Sequence, residues 1–179
     1  MSTDTNRVTA AQKLQKASDA VYKWTTKWKI KLNETKSTYV NFSNQNLTDP
    51  AVININGTGV PYANIAKYLG MTLDTKLKWN EHVRKKVKEL KIKIAQYRWL
   101  IGRHSKMTLY NKLLIYKQVI KPTWLYGIQL WGCTKSTHIK KIQTVQNKVL
   151  REIANAPWFV RNNDLLRDLR ILTVEQAIK

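Results

Sequence analysis

The sequence predicts an α+β fold: a small N-terminal portion built from one helix and an antiparallel sheet, followed by an all-α helical portion. Three observations carry this. Residues 38–73 hold short alternating or β-branched runs separated by turn signals. From Trp79 onward the apolar residues recur at helical spacing instead. Between them, the stretch from Lys67 to His82 reads as a short strand, a turn and the start of a long basic helix. The change of period divides the chain into residues 1–75 and 76–179.

The first helix is expected over residues 8–30. Thr9 and Gln12 have the spacing of a capping box, and Leu14, Ala17, Val21, Trp24 and Trp28 form one apolar seam opposite Lys13, Lys16, Lys23 and Lys27. A seam ending in two tryptophans is expected to be covered. Asn33-Glu34-Thr35-Lys36 is a turn, and Thr38 to Phe42 alternates as a strand does. A polar loop runs to Pro50. Val52 to Ile55 is a second strand, closed by the Asn56-Gly57 turn signal, and the chain returns through Val60-Pro61-Tyr62, where proline favours an edge or a strand start. Tyr68 to Leu73 completes a small sheet of three or four strands.

From Trp79, Val83, Val87, Leu90, Ile94, Tyr97 and Ile101 make a seam of about five turns. Arg84, Lys85, Lys88, Lys91 and Arg98 face away from it, with Lys86 and Lys93 on the flanks. A second helix is expected from Ser105, with Pro122 stopping or kinking it because proline lacks the amide and clashes with the preceding turn. The aromatic segment Trp124 to Gly132 belongs in the helical core. A third helix covers about 137–154, with Ile139, Ile142, Val145, Val149 and Ile153 inward, and Asn155-Ala156-Pro157-Trp158 ends it. Asp164 can cap a short helix, and Thr173-Val174-Glu175-Gln176 has capping-box spacing for another.

Composition narrows the partners. Lys and Arg number 32 against 11 Asp and Glu, a formal net charge of +21, which points to a polyanion and above all to nucleic acid. The single Cys133 excludes an intramolecular disulfide and fits a reducing compartment, nucleus or cytoplasm. No apolar run is long enough to span a membrane, and Met1 to Asn6 lacks the features of a signal peptide.

Phosphoryl transfer needs carboxylates that hold paired cations. No adjacent acidic pair occurs, and Asp164 and Asp168 are interleaved with Arg167 and Arg170, a pattern of capping and ion pairing. The three histidines stand apart from any ligand partner, so no metal site is expected. The signal that remains is the cationic face of the helix after Trp79, suited to a phosphate backbone. Trp24, Trp28, Trp124 and Trp131 fall on apolar seams and read as core, while periodicity leaves Trp79, Trp99 and Trp158 unassigned.

Particular residues also match a family. The series Trp24 to Ser37, then Tyr68-Leu69-Gly70 with Asp74, Trp79 and His82, resembles the reverse transcriptases of non-LTR retrotransposons, the jockey-like insect group in particular. So do Lys121-Pro122, Tyr126-Gly127, Leu130-Trp131-Gly132, and Gln146 to Arg151 with Asn155-Ala156-Pro157-Trp158. The resemblance implies that residues 1–75 are the end of a polymerase palm and 76–179 a thumb. It makes Lys36 the equivalent of the palm lysine near the incoming nucleotide, and Tyr68, Leu69 and Gly70 a primer grip. Arg84, Lys85, Lys88, Lys91 and Arg98 then hold a template–primer through its backbone, an RNA–DNA hybrid or another duplex.

The Tyr/Phe-x-Asp-Asp motif that the family carries just before this first helix is not in the sequence. The chain is therefore expected to be a truncated RNA-directed DNA polymerase, inactive by itself and without a cofactor, Mg2+ being implied only for the intact family enzyme. Its further partners would be the missing palm and fingers or another protein, with no membrane. The alternative is a co-opted or orphan helical interaction fragment with no nucleic-acid role.

Overall fold

A computed structural model of the chain describes residues 4, 6–43 and 51–178. It divides into two units, Met1–Leu77 and Lys78–Lys179. The first mixes a helix with small antiparallel hairpins, and the second is helical, so the chain is α+β.

In the first unit, helix α1 spans Arg7–Lys27. Its cap is Asn6, whose side-chain oxygen accepts from the Val8 amide at 2.9 Å, and not the Thr9–Gln12 pair expected. Thr9 instead turns its hydroxyl back to the Asn6 carbonyl. The face that α1 buries also differs from the expected seam, by about a quarter turn. Gln15 donates to the Asn54 carbonyl and accepts from the Asn54 amide, both at 2.9 Å, and so takes the place of a neighbouring strand along β1 (Ile53–Ile55). Thr25 is buried on that face, whereas Val21, Trp24 and Trp28 are exposed. Satisfying the edge of β1 fixes which way the helix turns, and the apolar seam is left outside.

The expected single sheet is two separate hairpins among the described residues: β1 with β2 (Thr58–Val60), and β3 (Ile65–Tyr68) with β4 (Met71–Asp74). Both close through two residues of positive φ, Asn56-Gly57 at 52° and 75° and Leu69-Gly70 at 46° and 75°. These are type I′ turns, whose twist matches that of the strands they join. Tyr68 to Leu73 is thus two strand ends and a turn. The strand expected over 38–42 reduces to one parallel bridge, Tyr39 to Tyr62. The Tyr39 hydroxyl is spent on the Ala51 carbonyl, and the next tie is the Ser43 amide on the Thr75 carbonyl. The 3₁₀ turn Glu34–Lys36 is capped by Asn33, whose side chain accepts from the Lys36 amide. Most of the polar loop expected up to Pro50 lies outside the described residues.

In the second unit, α2 (Asn80–Ile101) packs along α6 (Ser136–Ile153). Val83, Leu90 and Ile101 of α2 meet a core of Ile142, Val149, Leu150 and Ile153 of α6, together with Trp124, Ile128 and Trp131, all buried. The second helix begins at Leu109, capped by the Thr108 hydroxyl, not at Ser105, whose hydroxyl serves the Met107 amide. Pro122 does not end it. The chain runs helically from α3 (Leu109–Ile115) through a π turn (Tyr116–Ile120) into α4 (Lys121–Leu125). Just before the ring, the Lys121 amide reaches back five residues to the Tyr116 carbonyl, and Pro122 sits in the first turn of α4.

Gly127, at φ 69°, reverses the chain into the short α5 (Ile128–Trp131). Asn155, at φ 50°, ends α6 in the left-handed region. Arg161 rather than Asp164 precedes α7 (Asn162–Asp168), with Asp164 inside its first turn. The last helix, α8 (Val174–Ile178), has the reciprocal box expected: the Thr173 amide on Gln176 Oε1 at 2.9 Å and the Gln176 amide on Thr173 Oγ1 at 3.1 Å. Gln143 and Gln146 of α6 hold this end by bonds to the Val174 amide and the Leu172 carbonyl.

Candidate nucleic-acid interface

The α2 helix sorts its side chains by angle. At 100° per residue, Arg84, Lys88, Lys91 and Arg98 fall on one stripe, about 21 Å long, and Lys85 stands beside it. All five are exposed, opposite the face that carries Val83, Leu90 and Ile101. Both arginines are held in ion pairs. Arg84 pairs with Glu81 at 2.7 Å, and Arg98 reaches Glu152 of α6 at 2.7 and 3.3 Å, a pairing that raises the guanidinium pKa further.

Lys86 is not a flanking surface cation. It is buried, paired with Glu89 at 2.9 Å and set 6.0 Å over the Tyr126 ring. Lys93 turns toward the Thr123 hydroxyl. Lys112 is buried as well, its ammonium donating to the Gly102 carbonyl at the C-terminal end of α2, where a helix dipole favours a cation. Helical spacing alone does not separate these three lysines from the exposed ones. Only the packing of α3, the π turn and α4 against α2 does.

The start of α2 is rigidly set. Trp79 holds a left-handed φ of 62°, unusual for a bulky residue, while its ring is buried edge-on to His82 at 5.8 Å. His82 in turn lies 6.1 Å from the Trp131 ring. Burial, and then the Lys86 charge, pull the His82 imidazole down to about 4, so it is neutral near pH 7. The Thr134 hydroxyl donates to the Lys78 carbonyl at 3.0 Å and contacts His138 Nδ1 at 2.8 Å. Its one proton is used on the carbonyl, so His138 is the donor, through the Nδ1–H tautomer. This ties the beginnings of α2 and α6 together.

In the first unit, Tyr68 and Leu69 are exposed at the tip of the second hairpin, 62% and 65%, and Gly70 completes its turn. The left-handed φ of Leu69, 46°, is the one that the first central residue of its type I′ turn requires. Lys36 is exposed at the end of its 3₁₀ turn, beside β2.

The donor set that paired cations need is not assembled. Among the described residues no three of His, Cys, Asp and Glu come together, and Asp164 and Asp168 both face Arg167, at 3.2 and 3.6 Å. These residues do not fit the Mg2+ that the resemblance implies for an intact enzyme.

No family model matches the chain, and no solved structure does. Curated relatives do. The chain is 44% identical over 169 residues, 94% of its length, to a probable RNA-directed DNA polymerase from transposon X-element of Drosophila melanogaster. It is 36% identical over 162 residues to the RNA-directed DNA polymerase from mobile element jockey of the same fly, and 34% identical over 172 residues to that of Drosophila funebris.

The chain is homologous to non-LTR retrotransposon RNA-directed DNA polymerases.

It spans 18% of the length of the X-element polymerase and 19% of the Drosophila funebris jockey polymerase. The similarity to the jockey-type polymerases covers both units, since 90% or more of the chain is aligned in each case. No described helix of this polymerase homologue is long and apolar enough to cross a membrane. The tryptophans on its sequence seams divide: Trp124 and Trp131 are buried as expected, while Trp24 and Trp28 are not. Of those that periodicity left open, Trp79 is core, and Trp99 and Trp158 are exposed.

Proposed function

We propose that the Lys78–Lys179 unit grips a nucleic-acid duplex, a template–primer RNA–DNA hybrid, through its phosphate backbone. On this reading it is the thumb-like part of a non-LTR reverse transcriptase, and Met1–Leu77 is the end of the palm. Tyr68, Leu69 and Gly70 form its primer grip, and Lys36 stands where the palm lysine does.

One observation carries the reading. Lys85, Lys88 and Lys91 are exposed on a helix whose other face is locked into the core, with the Arg84 and Arg98 charges in line with them. A rigid row of cations matches a rigid row of phosphates and carries little base information. The net charge of +21 and the relatives' description as RNA-directed DNA polymerases support the same partner. The role on this reading is binding, a grip on the phosphate backbone by exposed cations. It is exercised in the nucleus or cytoplasm, where such hybrids are made.

The test is fluorescence anisotropy of a labelled RNA–DNA hybrid with the purified chain. Lys88→Glu with Lys91→Glu is expected to lower affinity at least about tenfold at low salt, with no preference among hybrid sequences. Unchanged affinity would refute the reading.

A different observation favours a second reading. Val21, Trp24 and Trp28 leave an apolar row exposed on α1, with the two indoles 6.4 Å apart. Such a row suits a protein surface, either the remaining palm and fingers or another partner. A chain acting only as that kind of interaction piece shows no loss on charge reversal in α2.

A further inference from the structure

At the far end of the α2 stripe the chain forms two adjoining clefts of 680 and 370 Å³. They share Arg98, Arg103 and Glu152. Trp99 lines the larger and Lys148 and Arg151 the smaller, so four cationic side chains face one carboxylate, and that carboxylate is paired with Arg98. Arg103 and Lys148 have no hydrogen-bond or ion-pair partner among the described residues and are exposed. Trp99 is 75% exposed.

The Arg151 wall is built. Its guanidinium donates to the Pro157 carbonyl at 2.6 Å, the Val160 carbonyl at 2.7 Å and Asn162 Oδ1 at 2.8 Å. Those bonds fix the loop on which Trp158 and Phe159 stand 89% and 69% exposed, edge-on to each other at 6.0 Å. A single exposed tryptophan needs no explanation. An exposed tryptophan inside a cationic cleft, with a second aromatic group held on a loop by one of its walls, combines the two elements that single strands require. They are a flat π surface for an unpaired base and a positive groove for its phosphates.

A paired duplex has no base free to stack, so Trp99 is of no use to it. A protein partner without acidic groups of its own would desolvate Arg103 and Lys148 uncompensated, because the one carboxylate of the cleft, Glu152, is paired with Arg98.

We infer that this cleft binds single-stranded nucleic acid, with a base stacked on Trp99 and phosphates on Arg103 and Lys148. Arg98 belongs both to the α2 stripe and to the cleft, so a duplex tracked along α2 would deliver the strand leaving it to Trp99. That continuity rests on the duplex-binding reading; the cleft's own activity does not.

The test uses the full chain and two fluorescein-labelled probes in parallel: an oligo(dT) of about 10 nucleotides, near the span one such groove covers, and an RNA–DNA hybrid. Trp99→Ala is expected to weaken oligo(dT) binding about tenfold, Trp99→Phe to retain most of it, and Arg103→Glu with Lys148→Glu to weaken it further and flatten its salt dependence. Hybrid affinity should move less than about twofold with Trp99→Ala, since stacking is the only contact removed. Trp99 is exposed, so its variants fold, and unchanged thermal melts check this.

Oligo(dT) affinity indifferent to Trp99→Ala, or hybrid binding with no single-strand binding, overturns the inference and leaves the duplex reading standing. Trp99-dependent oligo(dT) binding without hybrid binding supports the inference and removes the duplex reading.

Discussion

Arg98 of α2 and Glu152 of α6 form a two-point ion pair, with Nε on Oε1 at 2.7 Å and Nη2 on Oε2 at 3.3 Å. The pair links the two helices that make the core of the second unit, and it also occupies one of the cations proposed to meet nucleic acid. Its two roles compete, because an arginine satisfied by a carboxylate is a weaker partner for a phosphate. Glu152→Gln is therefore expected to raise affinity for an RNA–DNA hybrid by about two- to fivefold at low salt. The melting temperature should fall by only a few degrees, as an exposed pair stabilises little. Anisotropy titration and a thermal melt of the same sample check both.

His82 makes stability depend on pH. Its imidazole is held at about 4 in the fold against 6.5 in an open chain, by burial first, with Lys86 and Lys85 adding to the shift and Glu89 opposing it. A group whose folded pKa is depressed in this way is protonated first in the unfolded chain. Stability is then full above pH 6.5 and is lost as pH falls from 6.5 to 4, by at most about 3 kcal/mol, with no further loss from this group below 4. His138, also lowered by burial, adds in the same direction. Urea midpoints from pH 7 to pH 4 should trace this decline, and His82→Phe should flatten most of it.

Gly132 has no room for a methyl group. A Cβ there would lie 2.5 Å from the Ile128 carbonyl oxygen and 3.0 Å from Ile178 Cγ2. The first contact is backbone and cannot give way cheaply, so Gly132→Ala should destabilise the second unit by about 1–3 kcal/mol. Equilibrium urea denaturation followed by circular dichroism measures it.

Lys112 supplies a buried charge-assisted bond to the Gly102 carbonyl at 2.8 Å. Lys112→Met keeps the aliphatic stem and removes the charged donor, leaving the Gly102 carbonyl only the Ser105 amide at 3.2 Å, at a cost of about 1.5–3 kcal/mol. Lys117→Met, at an exposed position on the next turn, should cost well under 1 kcal/mol in the same denaturation experiment.

Much of the second unit was legible because its pattern is local. The α2 seam from Val83 to Ile101, the α6 seam from Ile139 to Ile153 and the Thr173–Gln176 box each depend on residues three or four apart, and spacing reveals them directly. What spacing hid is set by distant partners. The direction α1 faces depends on Gln15 finding the backbone of Asn54, 39 residues away, and the apolar seam of Trp24 and Trp28 gave no sign of that. The same holds for the cations: Lys86, Lys88 and Lys112 are alike in sequence, and only the packing of Tyr126 and Gly102 onto the first and last buries those two. Trp99, adjacent to Arg98 at the end of an apolar seam, could be placed only once its exposure was known.

The grip of the second unit on a duplex backbone is tested most directly by the salt dependence of hybrid binding. Three to five phosphate contacts, from Lys85, Lys88 and Lys91 alone up to all five α2 cations, predict log affinity falling against log salt with a slope of about −2.7 to −4.5. Charge reversal of Lys85, Lys88 and Lys91 should bring that slope close to zero or to about −2 at most. A slope near zero for the unaltered chain, or one that the reversal leaves unchanged, would contradict the account.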